Sequence, residues 1–334
     1  MRLQQFAAVL ARARAAVLGL AMIATVATPA AVLAQSFPNR PVKMIVAFPP
    51  GGATDTIGRE VARELEAIWG QPVVVDNKAG AGGMIAAAET SRAAPDGYTL
   101  LLATDGAIVS IPFLQDKVPY NSLTDLTPIA LVGGIPLILV ANHSLKVNTF
   151  AELIAAAKAK PNGIDYASSG IGASHHLSME LLQRATGIKL HHIAYKGGAP
   201  ALQGVLAGEV PVMWVAVSTA LPHIQSGKLM PLAIGSLERT PLLPNVPTVA
   251  ELGHPGFEAG NWVGIMGPRG LSAELTRKIQ ADLLKVVGAP AYRERLLSHG
   301  NEVRSSTSEE FASRIRTEYS RNKAFFATTG IGRP

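Results

Sequence analysis

"VAFPPGGATDTIGREVARELEAIWGQPVVVDNKAGAGG", Val46–Gly83, is the stretch that decides the fold. It carries two glycine-rich turns, each placed after an apolar run and before helix-like spacing. The run entering it, "VKMIVAF" (Val42–Phe48), is almost wholly apolar, as expected of a strand covered on both faces. Beyond the first turn, Ile57, Val61, Leu65 and Ile68 recur at helical spacing, and Gly70 stops that helix. "PVVVD" reads as a second strand, "MIAAAETSRAA" as a second helix ended by the turn "PDGY", and "YTLLLAT" as a third strand. The alternation is that of a parallel α/β sheet.

The same grammar resumes after "PIALVGGIPLILVAN". "TFAELIAAAKAKP" predicts a helix, "IDYAS" a strand, "HHLSMELLQRATG" a helix and "KLHHIAY" a strand. "APALQGVLAG" is a helix with Pro200 in its first turn and Gly208 past its end. "VPVMWVAV" and "MPLAIGS" are strands. The tail from Leu271 reads as two helices, "AELTRKIQADLLKVV" and "SEEFASRIRTEYSRNKAFFATT", with "PAYRERLLSHG" between them. The helical tail must return to a block already built, so the chain crosses twice, at Ile135–Val140 and at Asn261–Pro268. The expected division is 35–136 with 261–334 as one domain and 137–260 as the other.

The amino end has its own grammar. Arg2, Arg12 and Arg14 precede the uncharged run "AAVLGLAMIATVA", and small or modest residues stand at Val32 and Ala34. That is a secretory signal with its cut expected after Ala34, and the run is short for a span of about 20 residues. The expected location is therefore the periplasm. Cysteine is absent, which excludes disulfides and thiol chemistry. The formal charge is +6; without the three leader arginines it falls to +3. A modest positive balance suits anionic ligands. No basic stripe with interleaved aromatics points to nucleic acid.

In a parallel sheet, ligands sit beyond the carboxyl ends of the strands, where loops enter helices. Four such loops are rich in small residues: "PPGGATD" (Pro49–Asp55), "TDG" (Thr104–Gly106), "SSGIGAS" (Ser168–Ser174) and "KGGAP" (Lys196–Pro200). A helix amino end offers unpaired N–H groups and the positive end of a dipole, and small residues let an anion approach. Thr54 and Ser174 read equally as plain helix caps. "GAGGMI" has Ile85 where a dinucleotide fingerprint needs glycine, and no phosphate-loop motif occurs, so no cofactor is expected. Ser168, Ser169 and Ser174 lie near His175 and His176, which leaves an exported serine hydrolase using Ser174 with His175 or His176 as the alternative function. The pairs His175–His176 and His191–His192 lack the spacing of four that helical metal ligands need, so structural roles are expected and no metal.

Three long stretches carry a family resemblance. They are Pro38–Glu89, which contains the opening quotation; "YASSGIGASHHLSMELL" (Tyr166–Leu182); and "HHIAYKGGAPALQGVLAGEV" (His191–Val210). With "APDGYTLLLATDG", "LPNVPTVAELGHPGFEAGNWVGIMGP" and "SEEFASRI" they resemble the substrate-binding proteins of tripartite tricarboxylate transporters, the Bug receptors, over essentially the whole chain. The resemblance implies a type II periplasmic-binding-protein fold of two α/β domains closing on a small carboxylate. It implies recognition by main-chain amides, hydroxyls and waters rather than by arginine, and neither matching loop contains Lys or Arg. The expected ligand residues are Phe48, Gly52, Ala53, Thr54 and Asp55 in the first loop; Thr104 and Asp105; Ser168, Ser169, Gly170, Gly172, Ala173 and Ser174 in the second loop; and Ser218. "GAGG" is expected to shape the cleft rim. Asp105 either meets an ammonium, amide or hydroxyl of the ligand or points away and caps a helix, the cap being favoured. The expected partners are a membrane permease or a membrane sensor, with the receptor itself monomeric.

Overall fold

In the computed structural model, which describes residues 37–329, strand β1 (Val42–Val46) is the first element laid down. The expected export signal and its cut after Ala34 lie outside the described residues. Helix α1 (Ala53–Trp69) follows, burying Ile57, Gly58, Val61, Ala62 and Leu65 on one face. A Cβ at Gly58 would stand 3.0 Å from Leu102 and 3.1 Å from Val46, so the helix backbone rides directly on the sheet. Gly70 ends it in the left-handed conformation, φ 62°, donating to Glu66 O at 2.9 Å.

Strand β2 (Val73–Asn77), helix α2 (Met84–Ser91) and strand β3 (Thr99–Thr104) complete the first block. Both β2 and β3 pair with β1 in parallel. The segment after β3 is helical, which the sequence did not announce: a wide turn, Gly106–Ser110, runs into α3 (Ile111–Leu114).

Strand β4 (Leu126–Ala141) is 16 residues long and belongs to both halves. Leu126–Pro136 pairs antiparallel with β9 (Gly260–Pro268), whose other edge joins β3. From Leu137 to Ala141 the same strand pairs antiparallel with β7 (Val212–Ala216), and from Ile138 with β8 (Met230–Ile234). β5 (Asp165–Ser168) pairs in parallel with β7 and with β6 (His191–Ala194). The strand order is β2-β1-β3-β9-β4-β7-β5-β6, with β8 against β4. The sheet is therefore mixed rather than all parallel: the two crossing strands run against their neighbours.

The second half carries α4 (Phe150–Ala159), α5 (Ser174–Thr186), α6 (Gly198–Ala207) and α7 (Val217–Gln225). Thr149 caps α4, its hydroxyl accepting Glu152 N–H at 3.2 Å, and Glu152 in turn takes Asn148 N–H, one residue before the cap, at 2.6 Å. The tail is three helices, not two: α8 (Ala273–Gly288), α9 (Pro290–Ser298) and α10 (Ser308–Thr329). "PAYRERLLSHG" is itself α9, with Pro290 in its first turn.

Three buried clusters mirror the strand pairing. One joins Ile45, Leu101 and Ile108 with Trp262, Phe311 and Ile315, so the tail packs on the first block. The others, built on Leu139, Tyr166 and Trp214 and on Ile138, Met213 and Ile234, draw from the segment between Leu137 and Ala259. Tyr292 OH donates to Val132 O at 2.7 Å, and Trp69 Nε1 to Asp282 at 2.9 Å, fixing α8 and α9 against the first block. From Arg40 onward the chain is one compact unit.

Candidate functional site

A cleft of about 720 Å³ opens where the two sheet halves face each other. From the first half it is lined by Phe48, Ala81, Gly82, Thr104, Gly106 and the turn through Ser110, Ile111, Leu114 and Gln115. From the second half come Ser169–His175 and Gly198, and Asn261 of β9 joins them.

The loop after β5 is the best-defined wall. Helix α5 begins at Ser174 with Ala173 as its N-cap, and no side chain caps it among the described residues. The N–H groups of Ser174, His175 and His176 therefore lack an acceptor inside the helix. Positive φ at Gly170 (133°) and Gly172 (72°) turns the loop, and the first helix residues, Ser174 and His175, lie on the cleft wall. Ser168 is buried beneath it and braces it: its Oγ accepts Gly170 N–H at 3.1 Å and lies 2.6 Å from His192 Nε2. His176, also buried, accepts Gly172 N–H on Nδ1 at 2.9 Å. The rings of His176 and His192 stack at 4.0 Å between centroids, and Tyr166 stacks on His192 at 4.9 Å. Burial pushes the His176 imidazole down to about 4, with neighbouring His192 adding to the effect, and burial lowers His192 too. Both rings are held neutral, as an acceptor nitrogen in His176 requires. His175, on the cleft wall, sits 2.8 Å from Ser169 Oγ, and burial pushes it down to about 4.

Across the cleft, Thr104 closes β3 with its hydroxyl buried and, among the described residues, without a hydrogen-bond partner. The glycines of "GAGG" form the rim. Ala81 and Gly82 line it, while a Cβ at Gly83 would press on Ala107 and Ala47 at 3.0 and 3.2 Å.

Of the residues expected to bind ligand, Phe48, Thr104, Ser169, Gly170, Gly172, Ala173 and Ser174 are brought together on this cleft. Gly52, Ala53, Thr54, Asp55, Asp105, Ser168 and Ser218 do not line it. Gly52 is the exposed N-cap of α1, and Thr54 is buried inside its first turn. Asp55 is a brace: its carboxylate accepts Gly51 N–H (2.9 Å), Arg59 Nε (2.8 Å) and Asn77 Nδ2 (2.8 Å). Burial raises its pKa, but those bonds outweigh it and hold the group below the usual carboxylate range. Ser218 lies against Gly300, where an added Cβ would stand 3.1 Å from it. Neither Thr54 nor Ser174 is a cap, since Gly52 and Ala173 hold those positions.

Asp105 makes no cap bond either. Its Oδ1 is buried without a partner among the described residues, and the side chain faces a second, smaller cavity of about 170 Å³. Burial and the nearby Glu318 carboxylate push its pKa up to about 7.

The cleft residues that sequence reading missed are those of the unannounced turn, Ser110, Ile111, Leu114 and Gln115, together with Asn261. Gly106 and Gly198 belonged to loops singled out for their small residues. The serine–histidine arrangement considered for a hydrolase is not built: Ser174 pairs with neither His175 nor His176, which are taken by Ser169 and Gly172. Among the described residues no cluster of metal-ligating side chains occurs, and no helix is long and apolar enough to cross a membrane.

Residues 57–331 match the family described as tripartite tricarboxylate transporter family receptors. Protein BugT of Bordetella pertussis is 39% identical over 316 residues, covering 94% of this chain and 97% of that protein. Among solved structures, Rpa4515 of R. palustris with adipate is 31% identical with a TM-score of 0.76, covering 89% of this chain and 99% of that one. MatC of Rhodopseudomonas palustris with bound malate is 32% identical with a TM-score of 0.71, covering 86% and 99%. The fold is thus the two-lobed one of periplasmic binding proteins. The chain belongs to the tripartite tricarboxylate transporter receptor family: it is a periplasmic solute receptor, not an enzyme.

Proposed function

We propose that this receptor binds a small carboxylate between its two lobes, 35–136 with 261–334 on one side and 137–260 on the other, and delivers it to a tripartite-transporter permease. The observation that carries the reading is the uncapped amino end of α5, facing the unpartnered Thr104 hydroxyl across the cleft. Unpaired N–H groups at a helix start, with a hydroxyl opposite, match the acceptor-only oxygens of a carboxylate. Each hydrogen bond to the charged group contributes roughly 1.5–3 kcal/mol. The relatives solved with adipate and with malate support the same ligand class.

The test is a thermal-shift panel of mono- and dicarboxylates beside their amides and methyl esters. At about 100 times its dissociation constant a ligand adds about 2.7 kcal/mol of stability, a clear melting shift. At least one acid should stabilise, and its amide and ester should not. A panel in which the acids are silent while sugars or neutral amides shift the melt would overturn the assignment.

A further inference from the structure

Thr104 and Asp105 are consecutive, each has a buried oxygen without a partner among the described residues, and they face different cavities. Thr104 faces the main cleft. Asp105 faces the cavity of about 170 Å³ enclosed between α5 of one lobe and α10 of the other. The two cavities adjoin, because Ser110 and Ser174 line both. A ligand whose carboxylate sits at the start of α5 therefore has a continuation past Ser174 toward Asp105.

The charges around that continuation are unevenly placed. Arg184 and Arg321 are exposed, with Arg184 lying 4.5 Å over the Phe325 ring, so water screens them. Arg314 is already engaged by Glu258 at 3.3 Å and by Glu318 at 2.8 Å. Arg304 also pairs with Glu258. What remains at the inner end is the Asp105 carboxyl, taken out of water with its Oδ1 unpartnered among the described residues and with backbone N–H groups, those of Gly106 and of Asp105 itself, as its hydrogen-bond donors. Such a group costs free energy until a donor reaches it, and a second anion there would cost more.

We propose that the receptor selects carboxylates bearing a second, cationic hydrogen-bond donor, an ammonium or protonated amine, which Asp105 accepts in the inner cavity. This rests on the carboxylate reading above and narrows it to a substrate class. Asp105 is the specificity residue, and Ser110 and Ser174 mark the passage.

The experiment compares ω-amino acids, α,ω-diacids and simple monoacids of matched chain length, from four to six carbons, by calorimetry. The wild type should bind one ω-amino acid at least tenfold more tightly than the diacid and monoacid of its length. Asp105→Asn keeps the shape but removes the charge, and should erase that preference; Asp105→Ser serves if the first variant does not purify. A second readout is proton release. Burial and Glu318 raise the Asp105 pKa to about 7, against backbone hydrogen bonds from Gly106 and Asp105 and the more distant Arg314, so its carboxyl titrates around neutral pH. An arriving cation should expel a proton from part of the population at pH 7, seen as a dependence of binding heat on buffer ionisation enthalpy. Equal or better binding of diacids, or an unchanged preference in Asp105→Asn, overturns this inference and leaves the carboxylate reading standing. Silence of every acid overturns both.

Discussion

At the residue scale the loop after β5 depends on imidazoles that stay neutral. His176 Nδ1 can accept Gly172 N–H only while unprotonated, and its neighbour in the stack, His192, contacts Ser168, the loop's other brace. Burial holds His175 and His176 at about 4, against about 6.5 in an unfolded chain. Below 6.5 the unfolded state therefore binds more protons, and stability falls as pH drops from 6.5 toward 4. The His176 contribution is about 3 kcal/mol at pH 4. Asp105 works in the opposite direction: its raised pKa means the folded state binds more protons between about 4 and 7, so this group costs stability as pH rises through that window. We expect His176→Gln, whose amide oxygen can still accept Gly172 N–H, to flatten the acid limb of a plot of Tm against pH from 4 to 7. An acid limb identical to wild type would show that His176 does not titrate with unfolding.

At the element scale the decisive piece is the turn from β5 into α5. Gly172 sits at φ 72°, which a β-branched residue resists, and a Cβ there would run into the Leu114 side chain on the opposite wall. We expect Gly172→Val to remain folded by far-UV circular dichroism while losing affinity at least 100-fold, since the crowding falls on the cleft rather than on a core. Wild-type affinity in that variant would exclude the loop from the site. Elements with strong local patterns were legible beforehand: β1, α1 with its Gly70 stop, and the helix α4. The antiparallel placement of β4 and β9 was not, because strand partners are long-range facts that periodicity cannot carry. Nor was α9, a short helix with little amphipathic contrast, or the Gly106–Leu114 turn, whose Pro112 and mixed residues mimic a loop. The same limit applies to the site. Small-residue composition marked both "PPGGATD" and "SSGIGAS" as anion-friendly, yet only Phe48 from the neighbourhood of the first lines the cleft. Asp55 ties the rest of that loop to Arg59 and Asn77, and sequence shows composition, not the direction in which a braced loop points.

At the scale of the whole molecule, two strands carry the chain between the halves. β4 exchanges β9 for β7 and β8 at Pro136 and Leu137, and the return passes Ala259, whose N–H donates to Gly235 O at 2.8 Å, before β9 begins at Gly260. Each half keeps its own buried cluster, so a bend at these two points would leave both cores intact. Away from the strands the halves also meet through the ion pairs of Glu258 with Arg304 and Arg314, through Arg184 over Phe325 and through the approach of Leu114 to Gly172. A ligand touching α5 on one side and Thr104 on the other favours the closed arrangement by its difference in affinity for the two states. Trp262 is tied to its own half, its Nε1 donating to Glu318 at 2.7 Å and its ring meeting Phe311 edge-on at 5.0 Å, so an unchanged fluorescence would not decide the question. Solution scattering does report it. Saturating carboxylate should lower the radius of gyration toward the ~19 Å of a compact globule of about 300 residues, with forward scattering unchanged, since closure needs no change of oligomeric state. Superimposable free and bound curves at saturation would mean a rigid, preformed site, and the β4–β9 crossing would then be a brace rather than a hinge.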